Sequence, residues 1–281
     1  MSIQEQYRSR AKELLREGTV KMVIGYGAGT TPLRRRPIFI TSPDDADRLV
    51  LDAACRTNLA GYLLREGLLA DQKSVAVFLT PDGVRTINIL AAESQLATEQ
   101  VIVLGFQIDG ENARQLEGTR VADFSGIIAE RKKKRKEQPS HEVARKLEQM
   151  TSVERFSFWE GEFSRCIKCY ACRAACPMCW CRRCVVDNNQ PQWVNTSSHT
   201  LGNLEWNLVR AFHLAGRCVE CGNCSEACPV NIPLHLLNRR MTEEVLTAFD
   251  YYPGATNIRN RYSPVSEKTT LRLSFSKYSY A

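Results

Sequence analysis

Cys166, Cys169, Cys172 and Cys176 stand in the spacing C-x2-C-x2-C-x3-C, with Pro177 directly behind them. The spacing returns as Cys218, Cys221, Cys224 and Cys228, again closed by a proline, Pro229. Nothing else in the 281 residues constrains the fold as strongly. Three thiolates in a tight turn can take three corners of one iron–sulfur cube, while the fourth, on the following turn, points away and ligates the other cube. The reading is therefore one cluster on Cys166, Cys169, Cys172 and Cys228, and a second on Cys218, Cys221, Cys224 and Cys176. A single run would also suit zinc or chance. Two complete runs, each ending in Cys-Pro, single out two 4Fe–4S clusters, with iron as the metal.

The chain has twelve cysteines, eleven of them between Cys166 and Cys228. A secreted disulfide scaffold is the rival explanation. Against it, Met1 to Arg10 is polar and charged, without the apolar core of a signal peptide. Cysteines this close together in sequence also suit a metal better than bridges. No apolar run is long enough to cross a bilayer, so the reducing cytoplasm is the expected compartment. The formal net charge is +7, and much of it comes from Arg131-Lys132-Lys133-Lys134-Arg135-Lys136. A run of this kind can bind nucleic acid, but no aromatic residues interleave with it. A solvated helix face or a linker is expected, with no nucleic-acid partner.

Length suits two modest domains. The fold class read from the pattern is α/β: a small N-terminal α/β layer, then a helical two-cluster ferredoxin-like domain. Residues 1–125 form the first domain, 126–155 a charged helical linker, 156–254 the dicluster domain and 255–281 a tail that wraps over a partner or is loosely ordered. Within the first domain, residues 4–17 read as helix and Val20–Tyr26, Ile38–Thr41, Ser74–Thr80 and Val101–Phe106 as strands. Ser42 or Asp44 caps a helix carrying Leu49, Val50, Ala53, Ala54, Leu59, Tyr62 and Leu63 at helical spacing, with Cys55 on it. Val84–Leu96 is an amphipathic helix. Strands alternating with helices predict a mostly parallel sheet. Gly25-Tyr26-Gly27-Ala28-Gly29 is not a dinucleotide fingerprint, because Thr30 takes the place of the third glycine and a strand follows. Arg34, Arg35 and Arg36 beyond it could meet an anionic ligand or an acidic partner. In the second domain, Leu201–Ala215 and Leu234–Phe249 read as helices. Residues 177–217 separate the two cysteine runs, more than the hairpin of a compact ferredoxin needs.

Eight thiolates satisfy two clusters, which leaves Cys179, Cys181, Cys184 and Cys55. A third 4Fe–4S cluster, a tetrahedral zinc and unliganded buried thiols all fit, and the sequence leaves them open. Cys55 enters this set by arithmetic. His141, His199, His213 and His235 are scattered and read as structural or exposed. No catalytic acid–base pair is apparent. Arg165, Lys168, Arg173, Arg182, Arg183 and Arg217 flank the ligands, and their charge would raise cluster potentials.

The stretch from Phe158-Trp159 through Cys166–Pro177 to Cys179-Trp180-Cys181 resembles the iron–sulfur region of the deazaflavin-coenzyme hydrogenase and formate dehydrogenase β-subunit family. Ala215–Gly222 and Phe249–Gly254 are similar to dicluster subunits that accompany heterodisulfide-reductase-type complexes. A more diffuse likeness extends over Val23–Gly27, Cys55-x-x-Asn58-Leu59 and Val101–Gly105. Family members often carry cysteines where this chain has Thr80-Pro81-Asp82 and Phe106-Gln107, and the chain lacks the region on which flavin-bearing members depend. The resemblance implies a non-catalytic electron-carrying subunit without flavin. Its partners would be a flavin-containing NAD(P)H, hydrogenase or formate dehydrogenase protein on one side and a heterodisulfide-reductase-like acceptor on the other. The alternative is a flavin in the first domain, with the chain itself acting on a hydride donor.

Overall fold

The computed structural model describes residues 2–71, 73–110, 112–137, 142–184 and 190–255. Helix α1 (Ile3–Arg16) opens on a capping box, in which the Glu5 amide donates to Ser2 Oγ and the Ser2 amide to Glu5 Oε2. It lays Tyr7, Ala11 and Leu14 on a five-stranded sheet. The strands are β1 (Met22–Ala28), β2 (Arg35–Ile40), β3 (Val75–Leu79), β4 (Val101–Asp109) and β5 (Asn112–Gln115), in the order β2-β1-β3-β4-β5. The three central strands are parallel, and both edges are antiparallel hairpins. Every residue of β3 is buried, as an unbroken Val-Ala-Val-Phe-Leu run requires when both faces are covered. Helix α2 (Pro81–Ala92) is the crossover from β3 to β4.

Three expectations change here. The helix through Leu49–Leu63 does not form. Two 3-10 turns replace it, Pro43–Arg48 capped by Ser42 and Leu59–Leu64 capped by Asn58. Between them Leu49 is extended, the Val50 amide donates to Tyr26 O at 2.8 Å, and Asp52 Oδ1 accepts from the Ala54 amide. Short polar side chains here offer the backbone partners that a helix would otherwise supply. Cys55 therefore lies in a turn. Second, the sheet has a fifth strand beyond the four read from the sequence, because β5 folds back on β4 around Gly110 before the helices begin. Arg35 and Arg36 also turn inward on the chain, to Asp52 and to Ala28 O.

Third, the basic run is a solvated face only in part: Lys133 and Lys134 are exposed, and Lys134 pairs with Glu130 on its own helix. The run lies on α3 (Ser125–Glu137), and its other four cations reach acidic groups on other elements. Arg131 grips Asp82 at the start of α2, Lys132 and Lys136 meet Asp250, and Arg135 pairs with Glu220 and Glu243. Helices α4 (Glu142–Gln149) and α5 (Ser152–Ser164) follow, then the cysteine region with α6 (Ala171–Ala174), α7 (Thr200–Leu214), α8 (Asn223–Glu226) and α9 (Leu234–Phe249). None of the described helices is long and apolar enough to cross a membrane. The expectation for the tail beyond Ala255 lies outside the described residues.

The sheet and the cysteine region are joined through polar groups buried at their contact. Arg85 on α2 is fully buried, donates to Pro253 O at 2.8 Å and Val219 O at 3.0 Å, and sits 3.7 Å from the Tyr252 ring centroid. Gly254 has φ +71°, and a Cβ there would fall 2.2 Å from Arg85 O, so glycine is required on both counts. Losing a buried charge while its partners stay in place costs about 3–5 kcal/mol. Arg85→Met should lower the unfolding free energy by that amount in urea titrations followed by tryptophan fluorescence. Arg120→Met, at a side chain 85% exposed, should stay within about 0.5 kcal/mol of the parent. Equal losses for the two would remove the clasp.

Candidate metal centre

The two cysteine loops share one backbone conformation. Lys168 (φ 51°) and Tyr170 (φ 56°) are left-handed in the first, and Glu220 (φ 63°) and Gly222 (φ 79°) occupy the same places in the second. The left-handed region costs a non-glycine residue about 1–2 kcal/mol, and such strain clusters at functional sites. Two left-handed residues in five coil each loop around its thiols, and a one-turn helix, α6 or α8, then carries the third. The amides match too: Lys168 N donates to Cys166 Sγ and Glu220 N to Cys218 Sγ, both at 3.4 Å. Further donors aimed at sulfur are Ile232 N to Cys228 (3.4 Å) and Asn238 Nδ2 to Cys224 (3.6 Å).

The thiols gather in two groups. Cys166, Cys172 and Cys228 pack with Phe163, Ile232 and Leu234. Cys176, Cys218 and Cys221 pack with Leu90, Met178 and Val219. The fourth cysteine of each run thus lies with two from the other run, Cys228 with Cys166 and Cys172, and Cys176 with Cys218 and Cys221. Cys224 is buried within the first group, yet stays within electrostatic reach of Cys172 and Cys176, and Cys169 is exposed. Burial, then neighbouring thiolates, pushes Cys172 up to about 11 and Cys221 up to about 12, and holds Cys218 well above the ordinary thiol range. Buried thiols with raised pKa lose their protons when a metal takes the sulfur.

Helix α7 closes over both groups, and it does so with the face that looks less suited to a core. Leu204 and Leu208 are partly buried and Phe212 is 66% exposed, whereas Asn203, Asn207 and Arg210 are buried with Trp206 and Leu214. The reason is the cysteine loops' own carbonyls. Asn203 Nδ2 donates to Cys166 O at 2.7 Å and an Arg210 terminal nitrogen to Cys172 O at 3.1 Å. Burial opposes the Arg210 charge, but Cys176, Cys172, Cys179 and Cys224 around it more than offset that and raise its pKa. Its Nε is buried with no hydrogen-bond partner among the described residues. Two groups of thiols, donors aimed at sulfur and a buried cation between them fit a pair of anionic iron–sulfur cubes.

Arg210 was not among the cations singled out by adjacency to a cysteine. The available signal was Asn203-Asn207-Arg210-Leu214, a polar stripe at helical spacing. Of the flanking cations, Lys168 is buried and bonded to Asn195 O, Arg165 reaches Val230 O, and Arg182 is 91% exposed near Glu66. Arg217 bridges to Glu93 at 2.5 and 2.6 Å, and Trp180 Nε1 donates to the same carboxylate.

Cys179, Cys181 and Cys184 line one cavity together. Cys55 is fully buried in the core of the sheet region and is not among that cavity's walls; its sulfur accepts from the Asp52 amide and lies 3.6 Å from Val50 O. Burial raises it to about 12. His199 caps α7 and His235 pairs with Ser225, while His141 lies outside the described residues. Among the described residues, no three His, Cys, Asp or Glu side chains stand close enough to hold a single ion.

Comparison with known sequences meets this geometry. Residues 162–232 match the 4Fe-4S dicluster domain, which places both cysteine loops and α7 inside one iron–sulfur unit. Over 100 residues the chain is 34% identical to the F420-dependent formate dehydrogenase subunit beta of Methanocaldococcus jannaschii, an alignment covering 35% of this chain and 26% of that protein. Over 96 residues it is 35% identical to the F420-dependent formate dehydrogenase 1 subunit beta of Methanococcus maripaludis, covering 34% and 24%. The match thus spans about a quarter of the length of these curated relatives. The likeness to iron–sulfur β-subunits first read from the cysteine region is shown by both comparisons.

Arg210→Met removes a buried positive charge beside Cys172, Cys176 and Cys224. Reduction adds negative charge, so midpoint potentials read by anaerobic redox titration should fall. Lys134→Met, at a side chain 70% exposed, should leave them unmoved, and a matching pair of titrations would deny Arg210 any tuning role.

Proposed function

We propose that this chain is the iron–sulfur electron-transfer subunit of a multi-subunit redox complex. Its repeated left-handed cysteine loops are the observation that carries this reading, because strain duplicated at matching positions has a matching purpose in both. Each 4Fe–4S cluster supplies one-electron chemistry over a wide range of potentials. Cys166, Cys169, Cys172 and Cys228 hold one, and Cys218, Cys221, Cys224 and Cys176 hold the other. The chain's own contribution is to exclude water around the second loop, keep Arg210 charged between the groups, and aim amides at sulfur. Ile167, 57% exposed, and Cys169 mark the edge of the first loop that is open to a partner.

The donor is a flavin-containing formate dehydrogenase, hydrogenase or NAD(P)H protein; the formate dehydrogenase subunits matched over the cysteine region support the first of these. The acceptor is a heterodisulfide-reductase-like subunit. The unit boundaries at 125, 155 and 254 and a cytoplasmic setting belong to this proposal. So does the expectation that the sheet region docks the chain and binds no flavin.

Anaerobically purified protein should hold at least about eight irons and as many sulfides per chain, four per cube. In paramagnetic resonance of the reduced protein, Cys228→Ser should change the signal that Cys169→Ser changes. Cys176→Ser should change the one that Cys221→Ser changes. The opposite pairing would refute cross-ligation, zinc without iron would refute the electron-transfer reading, and a yellow cofactor released by acid would favour a flavin enzyme.

A further inference from the structure

Cys179, Cys181 and Cys184 follow the first cysteine loop in a C-x-C-x2-C spacing that the paired clusters leave unused. They line a cavity of about 260 Å³, and His213 lines it with them. His213 stands on the last turn of α7, three residues beyond Arg210, so one face of that helix presents both to the cavity. No hydrogen-bond partner for its imidazole is found among the described residues. Arg173, Arg210 and Arg217 add three guanidinium groups, and Met178, Trp206, Val209 and Leu214 form an apolar lining.

This composition has a specific chemical meaning. Three thiols and an imidazole make four soft or borderline donors, and three cations would stabilise them as thiolates around an anionic centre. Their spacing selects between guests. Among the described residues these groups do not close on the point that a single ion would occupy, whereas they do surround a cavity much larger than an ion. A cavity of that size suits a cluster better than a lone zinc. Cys55, which the cysteine count alone would recruit, is held inside the sheet region's core by its own turn.

We propose that Cys179, Cys181, Cys184 and His213 hold a third iron–sulfur cluster, with His213 as its non-thiolate ligand. The proposal rests on the iron–sulfur reading of the paired loops and extends it. Cys179 is three residues from Cys176, its amide donates to Cys176 O at 3.0 Å, and both pack with Cys218 and Cys221, so the third centre adjoins the cluster on Cys218, Cys221 and Cys224. One electron passes between them at a time, with no other bond made or broken. Replacing thiolate by imidazole raises the potential of an iron–sulfur centre, so the third centre should draw electrons relative to an all-cysteine version of itself.

The test uses the full chain, purified anaerobically, as wild type, His213→Cys, His213→Ala and Cys55→Ala. Wild type should carry about twelve irons, three cubes of four, and its reduced form should show a nitrogen hyperfine coupling in electron spin-echo spectra. His213→Cys should keep about twelve irons, lose that coupling and titrate at a lower potential; Cys55→Ala should match wild type. His213→Ala should lose the coupling and about four irons. About eight irons in wild type, with or without an added zinc, overturns the third cluster while leaving the paired loops standing. Twelve irons with no nitrogen coupling, or with the loss seen in Cys55→Ala instead, overturns His213. Fewer than eight irons brings down the reading on which this one rests.

Discussion

Sulfur atoms buried side by side repel one another once ionised, and the second half of the chain is built around that repulsion. Cys172, Cys176, Cys218, Cys221 and Cys224 are largely removed from water, where burial alone disfavours their charged form. Two kinds of compensation are present. Amides of Lys168, Glu220 and Ile232 point at sulfur and lower the cost of negative charge there. Arg210 brings a full positive charge between the groups, kept ionised by the thiolates themselves. Helix α7 consequently turns a polar face inward, an arrangement that would be costly against an apolar core and is favourable against a cluster of anions and unpaired carbonyls.

That electrostatic solution works only if the loops are held still, and the sheet region does the holding. Glu220 occupies a left-handed position in the second loop, and its carboxylate is met by Arg135 from α3 and approached by Arg85 from α2 and the Tyr252 hydroxyl. Asn223, one residue before Cys224, takes the Asn58 amide at 2.9 Å and donates to Ala175 O at the end of the first loop. A single asparagine therefore couples the sheet region to both loops. Fixed geometry matters for a one-electron carrier because reorganisation of the surroundings opposes transfer. The clasp of Arg85, Tyr252 and Gly254 belongs to the same device.

What the sequence disclosed follows from how local each signal is. Cysteine spacing is a local property of a loop, and so both runs were readable without any structure. Helix α9 and the strands β3 and β4 were readable for the same reason, their periodicity being complete within one element. The stretch Leu49–Leu63 misleads because its apolar residues repeat at helical spacing while Ser42, Asp52 and Asn58 capture backbone groups and break it into turns. The basic run misleads in another way: its charges look solvated until Asp82, Glu220, Glu243 and Asp250 arrive from elements far away in sequence. Arg210 was hidden by the habit of reading a helix's apolar face as its buried one. His213 was hidden because four cysteines seemed to complete a set.

On the proposed assignment the three centres differ in exposure in a way that orders them. Cys218, Cys221 and Cys224 belong to a loop whose sulfurs are enclosed by the sheet region, α7 and α9. Cys169 in the first loop and Cys181 beyond it are both exposed. The enclosed cluster meets the other two through its neighbours: Cys224 is within electrostatic reach of Cys172, and Cys176 O accepts from the Cys179 amide at 3.0 Å. An enclosed middle with two solvent-facing ends is the layout of a relay, because electrons enter and leave where partners can dock and are shielded in between. A storage protein would gain nothing from opening both ends. Arg210 lies within electrostatic reach of Cys172, Cys176, Cys179 and Cys224, so its charge acts on all three and sets a common electrostatic level along the path.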